Sequence, residues 1–390
     1  MKAIVLSGGG AKGAYQIGVW KALKKLHIKY DIITGTSVGA LNGVFMVQND
    51  YYKCKKLWNQ VDMKLLFENN IEDSDKKSEL IKNYGKNFIK NNGTEPLGLE
   101  KLLTKIVNKR KFFKSKINFG LISYNITTKK PVIITKEELN KNNIIDYLIA
   151  SASCYPAFTP KEINNEKLID GGYYDNLPIN LALKLGADEI IAVDLDAPGI
   201  KRKTKTNKKI TYITPNNKLS FFLKFDKKQA KKDQQLGYND TLKVFNILEG
   251  KNYTFKKNTI TKLRKKHKKI YINNVNKILN TKKIINLINE NTLLKKIKTE
   301  KNKHTFFLKL TEMLMNELKL PEEKIYSERK LKLSLINKIK NTKKENKVIN
   351  IYKHILKNDE SNIKKEAITS PINTLKAIYL YTLIGEQNDK

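Results

Sequence analysis

Asp31-Ile32-Ile33-Thr34-Gly35-Thr36-Ser37-Val38-Gly39-Ala40-Leu41 decides the fold. An apolar run ends in small residues, and an apolar helical pattern begins at once. That is a strand, a tight turn and a helix, with the G-x-S-x-G pattern (Gly35, Ser37, Gly39) at the turn. The small flanking residues permit an elbow that lifts the Ser37 hydroxyl out of a sheet. A serine capping the helix is the other reading of the same residue.

Working outward, the same alternation repeats across residues 1–200. Ala3–Leu6 reads as a buried strand and 13–26 as a helix, with Ala14, Ile17, Gly18, Ala22 and Leu26 at helical spacing. Tyr30–Thr34 is the second apolar run, and a helix is expected from about Ser37 to Val47. Ile117–Thr127 and Pro131–Thr135 read as strands joined by Thr128-Lys129-Lys130. Residues 143–152 read as a helix, Lys167–Asp170 as a strand end and Ile190–Asp194 as a continuous apolar strand. Strands alternating with helices predict an α/β fold with a mainly parallel central sheet covered on both faces. Residues 50–116 are polar and Lys/Asn-rich with helical stretches, the pattern of an inserted cap. A basic loop, Lys201–Lys209, precedes a strand at Ile210–Thr214 and a helix around 226–247. Beyond about 250 the strand pattern gives way to helical periodicity at Val275, Ile278, Leu279, Ile285 and Ile288, then Phe307, Leu310, Leu314 and Leu318. The expected organisation is therefore a catalytic domain at 1–248 and a Lys-rich α-helical region at 249–390.

Two glycine-rich turns accompany the elbow. Gly8-Gly9-Gly10-Ala11-Lys12-Gly13 lies between the first strand and first helix and fits G-x-G-x-x-G. Glycines there bring backbone N–H groups close to a ligand, and a helix N-terminus favours an anion, either a phosphate or a transient oxyanion. A dinucleotide site also begins this way, but its acidic ribose partner is weak, Asp31 being the nearest candidate. Lys12 does not end a P-loop string; it could set the local potential or lie exposed in the first turn. Ile169-Asp170-Gly171-Gly172 ends a strand in a glycine turn, at the sheet edge where active sites gather. Asp170 there could take the Ser37 proton directly, or simply shape an Asp-Gly turn. The four histidines, His27, His267, His304 and His354, lack catalytic flanks.

These three motifs, in this order, resemble the patatin-like phospholipase family, in a bacterial-type form: Ser7 stands where plant members carry Asp. The resemblance extends to Ala150–Phe158, Asp175-Asn176-Leu177-Pro178 and Gly186–Val193, and covers roughly residues 1–248. It implies a three-layer α/β/α fold and a lipid acyl hydrolase with a Ser37–Asp170 dyad. Gly8, Gly9 and Gly10 would form the oxyanion hole, and Gly13, Gly35, Gly39, Gly171 and Gly172 would complete the motifs. It implies a lipid ester substrate, an acyl-enzyme intermediate and neither cofactor nor metal. Thioesterase or acyltransferase chemistry would use the same dyad.

Charge adds a second line. Among 390 residues, 76 Lys+Arg face 38 Asp+Glu, a net charge of +38. That excludes an ordinary near-neutral enzyme and puts anionic partners in view. Residues 1–200 carry 29 basic and 21 acidic side chains, and residues 201–390 carry 47 and 17. Only four of the basic residues are Arg, whereas specific nucleic-acid readout favours Arg, and no nucleic-acid motif is present. An anionic membrane surface is the better candidate, with the helices at 275–288 and 306–318 either interfacial or packed on a core. Genome-wide Lys/Asn/Ile bias explains the same count. Two distant cysteines, Cys54 and Cys154, suit a reducing compartment and form no metal motif. No signal peptide or membrane-spanning run is expected, which suggests a cytoplasmic protein, peripherally membrane-associated if the anionic reading holds.

Overall fold

A computed structural model describes residues 1–67, 73–91, 93–95, 97–278, 303–342 and 345–385. The chain divides into two compact units, Met1–Val244 and Phe245–Lys390.

Among the described residues, the first unit is built on eight strands: β1 (Lys2–Leu6), β2 (Ile32–Thr36), β3 (Asn118–Asn125), β4 (Lys130–Thr135), β5 (Lys161–Ile163), β6 (Glu166–Asp170), β7 (Glu189–Val193) and β8 (Lys209–Ile213). Their order is β5-β6-β3-β2-β1-β7-β8, with β4 paired to β3. The central pairs β3-β2-β1-β7-β8 are all parallel, and the β4, β5 and β6 pairings are antiparallel. Ala3–Leu6 and Ile32–Thr36 are buried throughout. Burial along the whole of a strand marks one covered on both faces.

Among the described residues, ten α-helices accompany them: α1 (Ala14–Lys25), α2 (Val38–Val47), α3 (Tyr51–Trp58), α4 (Met63–Phe67), α5 (Lys77–Asn91), α6 (Leu97–Ile106), α7 (Lys109–Lys114), α8 (Ile144–Ala152), α9 (Ile179–Lys184) and α10 (Lys227–Val244). Strand side chains alternate between two layers. Ala3, Val5 and Ile32 pack with Ile179 and Ala182 of α9. Leu6, Ile33 and Phe119 face Gly43 of α2 on the other side. The fold is therefore a three-layer α/β/α sandwich.

β2 runs two residues later than the apolar pattern predicts. Asp31 stops its start, because its carboxylate accepts from Lys2 N–H and its own N–H donates to Lys2 C=O. Thr34 and Thr36 extend its end, since their hydroxyls donate to the carbonyls of Pro178 and Asp175. Asp31 thus sits at the N-terminal ends of the strands, opposite the glycine loop, and cannot serve a ribose there. The described residues of 50–116 include α3–α7. Their apolar faces meet Ala157 and Leu223 in a separate cluster around Leu66, Phe67, Leu80 and Tyr84.

The second unit has its own core, around Tyr271, Phe307, Leu314, Met315 and Tyr379. It holds helices Thr259–Ile278, Lys303–Glu317, Glu328–Asn341, Lys347–Leu356, Glu360–Thr369 and Pro371–Ile384. Ser327, Asn346 and Asp359 cap three of them by accepting the N–H three residues on. Val275, Phe307, Leu310, Leu314 and Leu318 are buried in that core, so these apolar positions pack inward. Leu279, Ile285 and Ile288 lie outside the described residues. A small sheet of Leu248–Glu249, Thr254–Lys256 and Ile325–Tyr326 was not expected from sequence. Strands of two or three residues are too short to show a period. Among the described residues, no helix is long and apolar enough to cross a membrane.

Candidate active site

Ser37 stands between β2 and α2 with φ 56° and ψ −130°. A positive φ is strained for a residue with a side chain. The surroundings enforce it. Ser37 N–H donates to Ser151 Oγ at 3.0 Å, and that hydroxyl donates onward to Ile122 C=O at 2.6 Å. The flanking glycines let the elbow close: a Cβ on Gly35 would lie 2.4 Å from the Gly39 carbonyl carbon, and one on Gly39 would lie 2.3 Å from the Leu6 oxygen. The Ser37 side chain makes no helix-capping bond, so the capping reading of this serine does not hold.

The Ser37 side chain instead lies beside the carboxyl of Asp170, at the end of β6, and both line one cavity. Asp170 Oδ1 also accepts Gly172 N–H at 2.7 Å, capping the turn Gly171–Tyr173. Asp170 therefore shapes the turn and faces Ser37 at once. Burial pushes its pKa up to about 6, while the bonds from Ser37 and Gly172 hold it back. Gly171 is pressed against Ile122 C=O, where a Cβ would come within 2.2 Å.

The glycine loop closes the third side, and Gly13 makes room for Val38 and Trp58 as the chain enters α1. Gly8 N–H does not face the site. It donates to the backbone and side-chain oxygens of Asn176, each at 3.1 Å, so of the three expected donors Gly8 is already engaged. Among the described residues, no acceptor meets the N–H of Gly9 or Gly10, and both line the cavity described below. Lys12 fastens the loop rather than lying exposed, since its ammonium donates to the carbonyls of Leu195 (3.3 Å) and Asp196 (2.6 Å). Burial lowers its pKa, and Asp196 and Asp194 oppose that shift.

Ser37, Asp170, Gly9 and Gly10 open into a cavity of about 730 Å³, within the usual range for ligand sites. Its walls are almost wholly apolar. Leu41 and Phe45 come from α2, Trp58, Phe67, Tyr84 and Leu102 from α3–α6, Phe158 from the segment before β5, and Phe222 and Phe225 from the segment before α10. The inserted helices thus supply most of one wall. Among the described residues, no histidine lines it. Among the described residues, no cluster of His, Cys, Asp and Glu could hold a metal ion. Cys154 lines the wall as well, and burial pushes its thiol up to about 12, which keeps it protonated.

Two contributors escaped motif reading. Asn176 joins the motifs: its amide donates to Pro198 C=O at 3.2 Å while its oxygen holds Gly8. Ser151 supports the elbow from α8. Their only sequence signal was membership of the flanking segments Asp175–Pro178 and Ala150–Phe158.

A model of the patatin-like phospholipase family matches residues 4–183. Patatin-like phospholipase domain-containing protein 7 of Rattus norvegicus is 29% identical over 201 residues, which cover 50% of this chain and 13% of that protein. Lysophospholipase nte1 of Aspergillus terreus is 28% identical over 197 residues, 49% of this chain and 12% of that one. Neuropathy target esterase sws of Drosophila melanogaster is 29% identical over 203 residues, 49% of this chain and 13% of that one. The chain thus spans about an eighth of the length of the curated relatives it matches.

Proposed function

From the premise that residues 4–183 belong to the patatin-like phospholipase family, we propose that the protein is a lipid acyl hydrolase working through a Ser37–Asp170 dyad. The observation that carries this reading is Ser37 on a strained elbow, beside the buried carboxyl of Asp170, with both lining an apolar cavity.

The cavity takes the acyl chain, and the ester carbonyl lies between Ser37 and the loop. Ser37 Oγ attacks the carbonyl carbon as its proton passes to Asp170. A carboxylate with a pKa of about 6 is mostly ionised at neutral pH and is a stronger base than an ordinary aspartate. The oxyanion takes hydrogen bonds from the N–H groups of Gly9 and Gly10, each donor contributing about 10²–10³-fold. The proton on Asp170 goes to the leaving alcohol as the C–O bond breaks. Water then attacks the acyl-enzyme, gives its proton to Asp170, and the acid leaves with Ser37 restored. The names of the relatives above, a phospholipase-domain protein, a lysophospholipase and an esterase, support the substrate class.

Labelling with a fluorophosphonate, followed by fatty-acid release from a lipid panel, tests this directly. Ser37→Ala should lose both signals. Asp170→Asn should lose turnover. Full activity in either variant would refute the dyad. Product analysis with competing alcohol and thiol acceptors separates hydrolysis from acyl transfer.

A further inference from the structure

The cavity opens beside an unusual surface. Ile81, Tyr173 and Ile200 line the cavity and are nonetheless 49%, 43% and 55% exposed, so they form its rim. On α5 the rim continues as a ridge, Ile81–Gly85–Ile89, with Ile89 86% exposed. Residues four apart share a helix face. The next ridge, one residue over, is Lys82–Lys86–Lys90, all exposed and forming no ion pair with a described residue. On the loop side, Ile200 is followed by Lys201, Arg202, Lys203 and Lys205. Lys201 is held by Asp194 at 2.6 Å and Arg202 stacks on Tyr174 at 4.4 Å, while Lys203 and Lys205 are exposed with no ion pair to a described residue.

Apolar side chains left in water at the mouth of an apolar cavity, flanked by exposed lysines, match the chemistry of an interface whose interior is apolar and whose surface is negative. We propose that this rim, α5 together with the loop 200–205, seats the protein on an anionic lipid surface with the cavity mouth facing the bilayer. The apolar ridge enters the head-group region and the lysine ridge meets the phosphates. An acyl chain then passes from bilayer to cavity without crossing water. This deepens the lipid reading of the cavity and rests on it. It assigns membrane contact to the first unit, although the second is the more basic by sequence.

The full chain carrying Ser37→Ala is sedimented with phosphatidylcholine vesicles, with and without about a third phosphatidylglycerol. Binding should need the anionic lipid and should fade between about 0.05 M and 0.5 M salt, where screening shortens from beyond 10 Å to a few ångströms. Lys82→Glu/Lys86→Glu/Lys90→Glu should weaken it at least ~10-fold, each lysine near such a surface being worth about fivefold. Lys262→Glu/Lys265→Glu/Lys269→Glu, on an exposed face of the second unit, should not. In the otherwise native chain, both triple variants should hydrolyse a soluble short-chain ester like the parent. An unchanged melting temperature controls for folding. Equal binding to neutral vesicles, no binding at low salt, or loss of binding only in the second-unit variant would overturn the proposal. The sedimentation needs no turnover. A parent that binds but hydrolyses nothing would refute the hydrolase and leave the surface standing.

Discussion

Asp170 couples rate and stability at one residue. In the proposed dyad its carboxyl must be ionised to take the Ser37 proton, so kcat/KM should rise with pH through about 6 and level off above it. Stability runs the other way. A carboxyl whose pKa is raised by burial binds its proton more tightly folded than unfolded, so stability falls as pH climbs from about 4 to about 6. Asp170→Asn should therefore be inactive yet melt higher than the parent at pH 7, by on the order of 2 kcal/mol, with the gain vanishing near pH 4. Thermal scans at the two pH values check it. Asn176 belongs to the same scale but acts at one remove. It touches no reacting atom in this mechanism and holds Gly8, which orients the N–H groups of Gly9 and Gly10. Asn176→Ala should lower kcat by about 10²-fold with KM little changed, because the lost interaction is with the oxyanion and not with the ester.

At the scale of elements, the crossing of α1 and α10 shows what close packing demands. A Cβ on Gly18 would meet the Gln234 carbonyl oxygen at 1.8 Å, and one on Gly237 would meet that of Tyr15 at 2.1 Å. Both obstacles are backbone and cannot turn aside. Gly18→Ala should destabilise by about 1–3 kcal/mol, while kcat per folded molecule stays near the parent value. The inserted helices carry a second expectation. Leu102 on α6 lines the cavity, so Leu102→Trp should cut hydrolysis of long-chain esters while sparing short ones, read from an acyl-length series. Sequence reading reached these elements unevenly. The positions of Ser37 and Asp170 at strand-end turns were legible because each sits in a short motif whose spacing needs a turn at a sheet edge. The cavity was not, because apolar helical positions such as Leu66, Phe67 and Leu102 look the same whether they face a core or a void. Asn176 and Ser151 act across 168 and 114 residues of chain, and no local pattern reports such contacts.

At the scale of the whole molecule, charge and chemistry divide differently from the way composition suggests. Every residue assigned here to the dyad, the glycine loop, the cavity and the rim lies in Met1–Val244, which has its own sheet and apolar clusters. Phe245–Lys390 has a separate core and holds none of them. Three of the four histidines lie there; His267 is buried, with its pKa lowered by burial and by Lys266 beside it, so it is a packed side chain rather than a stray catalyst. The chemistry should thus be separable from the helical unit. A fragment ending at Val244 should still take the fluorophosphonate at Ser37 and turn over a soluble ester within about tenfold of the full chain, since no reacting group is removed. A fragment that melts cooperatively yet neither labels nor turns over would mean that residues 245–390 complete the site.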